Sequence, residues 1–168
     1  MPGETVTRDT GTPDTLIIGL GNPLRGDDGV GVRIVKELSE RTLPHDVEVA
    51  DGGTQGLGLI NLMEGRQRVI LVDAADIGQT PGQFARFTLD EATLPGDDKY
   101  LSIHAAGLRE ALLLAQALNM LPPEVVIIGV QPGQLNWDTG LSPEVEASLP
   151  GLLAAVLVEA RNVKMSKE

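Results

Sequence analysis

Two adjacent acids, Asp27 and Asp28, stand where a glycine-rich turn gives way to a helix, and that position sets the chemistry open to them. The segment LIIGLGNPLRGDDGVG, residues 16–31, reads as a strand, a tight turn and the first turn of a helix. Turns of this kind often cradle phosphates, but the spacing here does not fit. The dinucleotide fingerprint G-x-G-x-x-G would take Gly19 and Gly21, then meets Leu24 where its third glycine belongs. A P-loop would take Gly21 and Gly26 and then needs Lys and Ser or Thr; Asp27 and Asp28 stand there instead, and two carboxylates repel polyphosphate. What they suit is a cation. Asp27 can cap the helix through its carboxylate, and Asp28 falls in a first turn whose positive end favours an acid. Capping alone is also an ordinary use for such a pair.

Two further residues add donors. Asp73 ends the apolar run 69–72, and in a parallel sheet its carboxylate would emerge at the carboxyl edge, where ligands of such folds bind. A turn after a strand would use an Asp equally well. His104 follows Ser102, which reads as the N-cap of a helix, and a helix N-terminus disfavours imidazolium. The neutral ring is the form that ligates metal, although a lone histidine is more often structural. Asp28, Asp73 and His104 together offer two carboxylates and one imidazole from three element ends. That set suits a divalent first-row metal such as nickel, iron or zinc, and it leaves coordination positions for something else to fill.

The elements that must position these groups are legible as alternating strands and helices. Runs at 15–20, 47–50, 68–72, 83–89 and 125–130 read as strands, the run 83–89 alternating enough to be an edge. After Asp28, Val30, Ile34, Val35 and Leu38 share one helical face. Residues 56–64 read as a short helix and 103–118 as a longer one. Ser142 and Pro143 read as N-cap and first residue of a last helix, which Pro150-Gly151 should kink or interrupt. The expectation is one α/β domain over residues 15–161, a mostly parallel twisted sheet of about five strands with helices on both faces. Residues 1–14 and 162–168 read as flexible tails.

Composition narrows the function classes. The 168 residues carry 24 Asp and Glu against 13 Lys and Arg, a net charge of −11, which argues against nucleic acid as a partner. With no cysteine there is no thiolate nucleophile, disulfide or iron–sulfur ligation. No serine has a G-x-S-x-G context, and no H-E-x-x-H is present. The N-terminus lacks a signal-peptide pattern and no apolar stretch is long enough to span a membrane, so a cytoplasmic protein that does not engage a membrane is expected.

GLGNPLRGDDGVG, DGGTQG at 51–56, LVDA at 71–74, SIHAAGL at 102–108, and GVQP with GLSPEVEA across 129–147 together resemble the hydrogenase maturation endopeptidases. The matches run in order through nearly all of the chain from Leu16 to Leu157. The resemblance implies an endopeptidase that removes a C-terminal extension from the large-subunit precursor of a nickel-iron hydrogenase after nickel insertion. It implies that nickel arrives with the substrate and is gripped by three residues, matching Asp28, Asp73 and His104, so that the free enzyme holds little metal. Some members carry Glu where this chain has Asp28. The turn from Asp51 to Thr54 matches an element implicated in substrate recognition, though a tight turn accounts for its glycines equally well. Asn22 and Asp27 are placed by adjacency to orient the ligands. A monomer is expected.

Two rival readings belong to other classes. LIIGLGNP also resembles the opening of peptidyl-tRNA hydrolases, esterases acting on RNA, but no histidine precedes His45 and the charge is wrong. A nickel-dependent chaperone that grips the immature hydrogenase without cutting it would carry the same motifs. The acidic stretch 90–100 and the segment 131–140 with the only tryptophan, Trp137, are candidates for a partner surface.

Overall fold

The structure is a computed structural model and describes residues 12–54, 56, 58–93, 101–102, 105–137 and 140–161. In chain order its elements are β1 (Thr15–Leu20), a single 3-10 turn (Gly26–Gly29), α1 (Val30–Ser39), β2 (Val47–Gly53), α2 (Gly58–Met63) and β3 (Arg68–Asp76), followed by β4 (Phe84–Thr88), α3 (Leu89–Thr93), β5 (Leu101–Ser102), α4 (Ala105–Ala117), β6 (Glu124–Val130) and α5 (Pro143–Arg161).

Strands covered on both faces read as unbroken apolar runs, and β1 is buried at all six positions. Successive residues of a strand serve opposite faces. Ile17, Ile70, Val72, Val126 and Ile128 therefore meet α1 and α5 through Ile34, Leu38, Leu149, Leu152 and Val156. Leu16, Ile18, Val69, Leu71, Val125 and Ile127 meet Leu59 and Met63 of α2 and Leu108 and Leu112 of α4. The result is the expected three-layer α/β domain. Its sheet has the order β2-β1-β3-β6-β4, with β5 added to the end of β3. β1, β2, β3 and β6 are parallel; β4 is the edge strand that its alternation suggested, and it runs antiparallel to β6. Among the described residues no helix is long and apolar enough to cross a membrane.

Several boundaries differ from the sequence reading. β3 does not stop before Asp73; it continues to Asp76, because Asp73 and Ala74 pair with Gly129 and Val130 of β6, while Ala75 and Asp76 pair with β5. Ser102 is not a helix cap. It belongs to β5, opposite Ala75, and α4 starts at Ala105. Pro150 does not interrupt α5, which runs on through it for 19 residues. The proline faces solvent, where the carbonyl that loses its amide partner can be hydrated. Ser142 does serve as the N-cap, its carbonyl accepting the Glu146 amide at 2.9 Å. The carbonyl of Asp14 accepts the Gln67 and Arg68 amides, and that of Pro13 accepts Arg66, so residues 13 and 14, read as part of a flexible tail, are tied to the domain. The rest of the expected tails, 1–11 and 162–168, lies outside the described residues.

Polar groups close the amino-terminal end of the sheet. Arg68 pairs with Glu159 of α5 and, at 3.1 Å, with Glu124, while Arg86 reaches Glu159 at 3.0 Å. Two cations and two anions neutralise one another where β3, β4, β6 and α5 meet. On the outer surface Arg33 bridges Glu37 at 2.9 Å and Glu146 at 2.8 Å. The hydrogen bond with Glu37 is the largest cause raising its pKa, burial working the other way.

The start of α1 lies unusually close to the sheet. A Cβ on Gly31 would fall 2.3 Å from the Val72 carbonyl oxygen and 2.6 Å from that of Leu20, both backbone atoms that cannot move aside. Gly31→Ala is therefore expected to destabilise the protein by about 2–3 kcal/mol or more in denaturant unfolding. Gly151→Ala, in α5 with nothing within 4 Å of the new methyl, should instead stabilise it by roughly 0.5–1 kcal/mol.

Candidate active site at the carboxyl edge of the sheet

Between β1 and α1 the chain folds back on itself. Gly21 has φ +115, and a Cβ there would meet the Asp28 carbonyl oxygen at 1.9 Å, so only glycine lets the two ends of the turn touch. The turn is laced internally. Asn22 accepts the Leu24 amide through its side-chain oxygen at 2.9 Å, Arg25 donates to the Asn22 carbonyl, and Asp28 donates to that of Arg25. The Asn22 amide then donates to Asp28 Oδ2 at 3.1 Å. Asn22 thus holds the Asp28 carboxylate through its backbone, which gives physical form to the orienting role that adjacency had suggested.

Asp27 and Asp28 are both fully buried but have separate tasks. Neither makes a side-chain cap to the 3-10 turn or to α1, whose N-cap position is Gly29. This corrects the capping expectation for Asp27, and the reason is competition from better donors. Its carboxylate accepts the amides of Gly133 at 2.7 Å, Gln134 at 2.9 Å and Ser142 at 2.6 Å, and the Ser142 hydroxyl at 2.7 Å. Its own amide donates to the Gln134 carbonyl at 2.9 Å. Asp27 therefore fastens the chain after β6 and the start of α5 to the turn that carries Asp28. Sequence reasoning missed this partner set, since nothing local links residue 27 to residues more than a hundred positions away.

Asp73 is also fully buried. The β1–β3 ladder ends at Gly19 opposite Val72, so Asp73 is the first residue of β3 beyond that ladder, toward the carboxyl edge. The 3-10 turn packs on β3, and Gly31 touches Val72, which brings the Asp28 turn to the same edge. The strand periodicity puts Asp73 on the face of Val69 and Leu71, the face that α4 covers. His104, immediately ahead of α4, lies outside the described residues. Among the described residues no group of three His, Asp or Glu side chains is gathered as a metal site. What the described residues bring to one edge of the sheet is the turn that carries Asp28 and the part of β3 that carries Asp73.

The Asp51 segment is tied to the same turn. It is the end of β2 rather than a separate loop; Asp51 Oδ1 accepts the Gly53 amide at 2.8 Å, and the Gly53 carbonyl accepts the Gly21 amide at 2.9 Å. On the far side, Gln131 was not singled out from sequence. Its side-chain oxygen accepts the Ile77 amide at 2.8 Å, holding the chain beyond β3 against the end of β6.

Carboxylates at the carboxyl edge of a parallel sheet, fixed by backbone amides, can present oxygen ligands to a divalent ion. Comparison with known proteins gives this edge a context. A family model described as hydrogenase maturation protease matches residues 32–159. The hydrogenase expression/formation protein HupD of Bradyrhizobium diazoefficiens is 40% identical over 132 residues, covering 77% of this chain and 69% of that protein. The hydrogenase 2 maturation protease of Escherichia coli K12 is 35% identical over 148 residues, covering 87% of this chain and 90% of that protein. Among solved structures, the E. coli hydrogenase maturating endopeptidase HybD superimposes with a TM-score of 0.76 at 33% identity, covering 88% of this chain and 91% of that one. The nickel-iron hydrogenase maturation protease HybD of Thermococcus kodakarensis does so with a TM-score of 0.75 at 28% identity, covering 87% and 98%. With sequence and fold agreeing over most of its length, the chain belongs to the hydrogenase maturation protease family.

Proposed function

We propose that this chain is a cytoplasmic, monomeric endopeptidase that removes the C-terminal extension of a nickel-iron hydrogenase large-subunit precursor after nickel has been inserted. The nickel in the precursor is the recognition element, gripped by Asp28, Asp73 and His104. The observation that carries this reading is the placement of two buried acids, Asp28 on the turn packed against β3 and Asp73 on β3, at one sheet edge.

The described residues on either side of His104 support its inclusion. Ser102 pairs with Ala75, two residues beyond Asp73, and α4 begins at Ala105. Two oxygen donors and one imidazole form a partial shell that leaves the substrate's own ligands in place. Gripping the ion fixes the scissile peptide against the edge, and the metal's charge supplies polarisation of the carbonyl or of an attacking water. Asp28 reaches about one methylene less far than the Glu of some family members and still supplies oxygen.

Replacing Asp28, Asp73 or His104 by Ala should leave a folded protein whose processing of a nickel-loaded precursor falls by about a hundredfold or more, since misplacement of the reacting centre costs that much. Retained processing in all three variants, read by mass spectrometry of the precursor, sinks the assignment. The wild-type protein should shorten nickel-loaded precursor and leave the nickel-free form intact. Stable binding with no loss of a C-terminal peptide would instead identify a chaperone.

A further inference from the structure

The segment after β6 carries an unusual combination for this chain. Residues 131–137, QPGQLNW, contain no charge in a protein of net charge −11, and they end on its only tryptophan. Trp137 is 78% exposed, the most exposed of the large apolar side chains described. Large aromatics are costly to leave in water, and a tryptophan left there in an otherwise well-buried protein marks a contact surface.

Exposure alone would say little, but this side chain stands on a fixed base. Four hydrogen bonds to the buried Asp27 carboxylate hold the segment at Gly133, Gln134 and Ser142. Gly26 lies against the carbonyl oxygens of Gln134 and Asn136, where a Cβ would sit 2.8 and 3.4 Å away. Trp137 therefore follows directly on backbone clamped to the turn of Asp28. That turn offers a second exposed apolar residue, Leu24, 57% exposed. Both residues flank the contact of Gly26 with Gln134 and Asn136, and Gly26 begins the 3-10 turn that carries Asp28, so the two exposed side chains lie on segments joined at the proposed catalytic edge.

We infer that Trp137, with Leu24 beside the same turn, is the docking anchor for an uncharged, apolar segment of the hydrogenase precursor flanking its metal-bearing C-terminal region. This rests on the function proposed above. Held aromatics make effective anchors because little side-chain and loop freedom is lost on binding, and tryptophan is prominent among residues that dominate interface energies. The anchor acts on binding rather than on bond cleavage, so its loss weakens capture of the precursor and spares the chemical step.

The test is steady-state processing of nickel-loaded precursor by Trp137→Ala and Trp137→Phe, with folding checked by circular dichroism. Trp137→Ala should raise KM by about tenfold to thirtyfold with kcat changed less than about twofold, and Trp137→Phe should recover most of the loss. A second measurement needs no substitution of the side chain's shape. Protein labelled with 5-fluorotryptophan carries a single fluorine resonance, which should shift on addition of the precursor. An unchanged KM in Trp137→Ala, a loss confined to kcat, or a fluorine resonance that does not move in a protein that still processes precursor overturns the inference. If the wild-type protein processes no precursor at all, it is the proposed function that fails.

Discussion

A helix can approach the end of a parallel sheet at backbone distance only where both surfaces lack a Cβ, and that constraint sets the geometry of the whole carboxyl edge. A Cβ on Gly19 would sit 2.2 Å from the Gly31 carbonyl oxygen, and one on Gly31 would sit 2.3 Å from that of Val72. These two absent methyls let the first turn of α1 rest on β1 and β3 at once. The turn carrying Asp28 is thereby delivered beside the strand carrying Asp73. Glycines that in a nucleotide-binding protein would make room for phosphate here make room for a helix.

The polar groups then do at close range what the glycines permit. Backbone amides, which cannot change rotamer, supply the Asn22 hold on Asp28 and three of the four hydrogen bonds to Asp27. Charge-assisted hydrogen bonds of this kind are stronger than neutral ones, and in a buried setting they fix a side chain firmly. The opposite end of the sheet is closed by Arg68, Arg86, Glu124 and Glu159, whose charges cancel among themselves. Removing Arg68 or Glu159 would take from the other its closest partner in a buried setting, so that network specifies how α5 seats on the sheet rather than adding a site.

Much of this was legible in the sequence, for reasons that can be named. Apolar runs with β-branched residues located the five main strands, and the alternation in 83–89 marked an edge, though not its antiparallel direction. The face of Val30, Ile34, Val35 and Leu38 is the buried face of α1. Asp28 and Asp73 were singled out by chemistry and position, and the fold brings them to one edge. What was not legible depends on partners remote in sequence. The extension of β3 past Asp73 exists because β5 and β6 offer it backbone groups, and no propensity of residues 73–76 announces that. Ser102 looks like a cap in isolation and is a strand residue because Ala75 lies opposite. Pro150 looks like a break, yet its place on the outer face of α5 lets the helix pass.

Of the side-by-side acids of the turn, the first is committed to the fold itself. At position 27 the oxygens are surrounded by four protein donors between 2.6 and 2.9 Å, so a longer side chain would push its carboxylate through them and a neutral one would face donors with too few lone pairs. Position 28 accepts the Asn22 backbone amide at 3.1 Å. Exchange of Asp27 for Glu or Asn is therefore closed by bonds made to residues more than a hundred positions away, although a glance at the sequence would rank the two acids as equivalent.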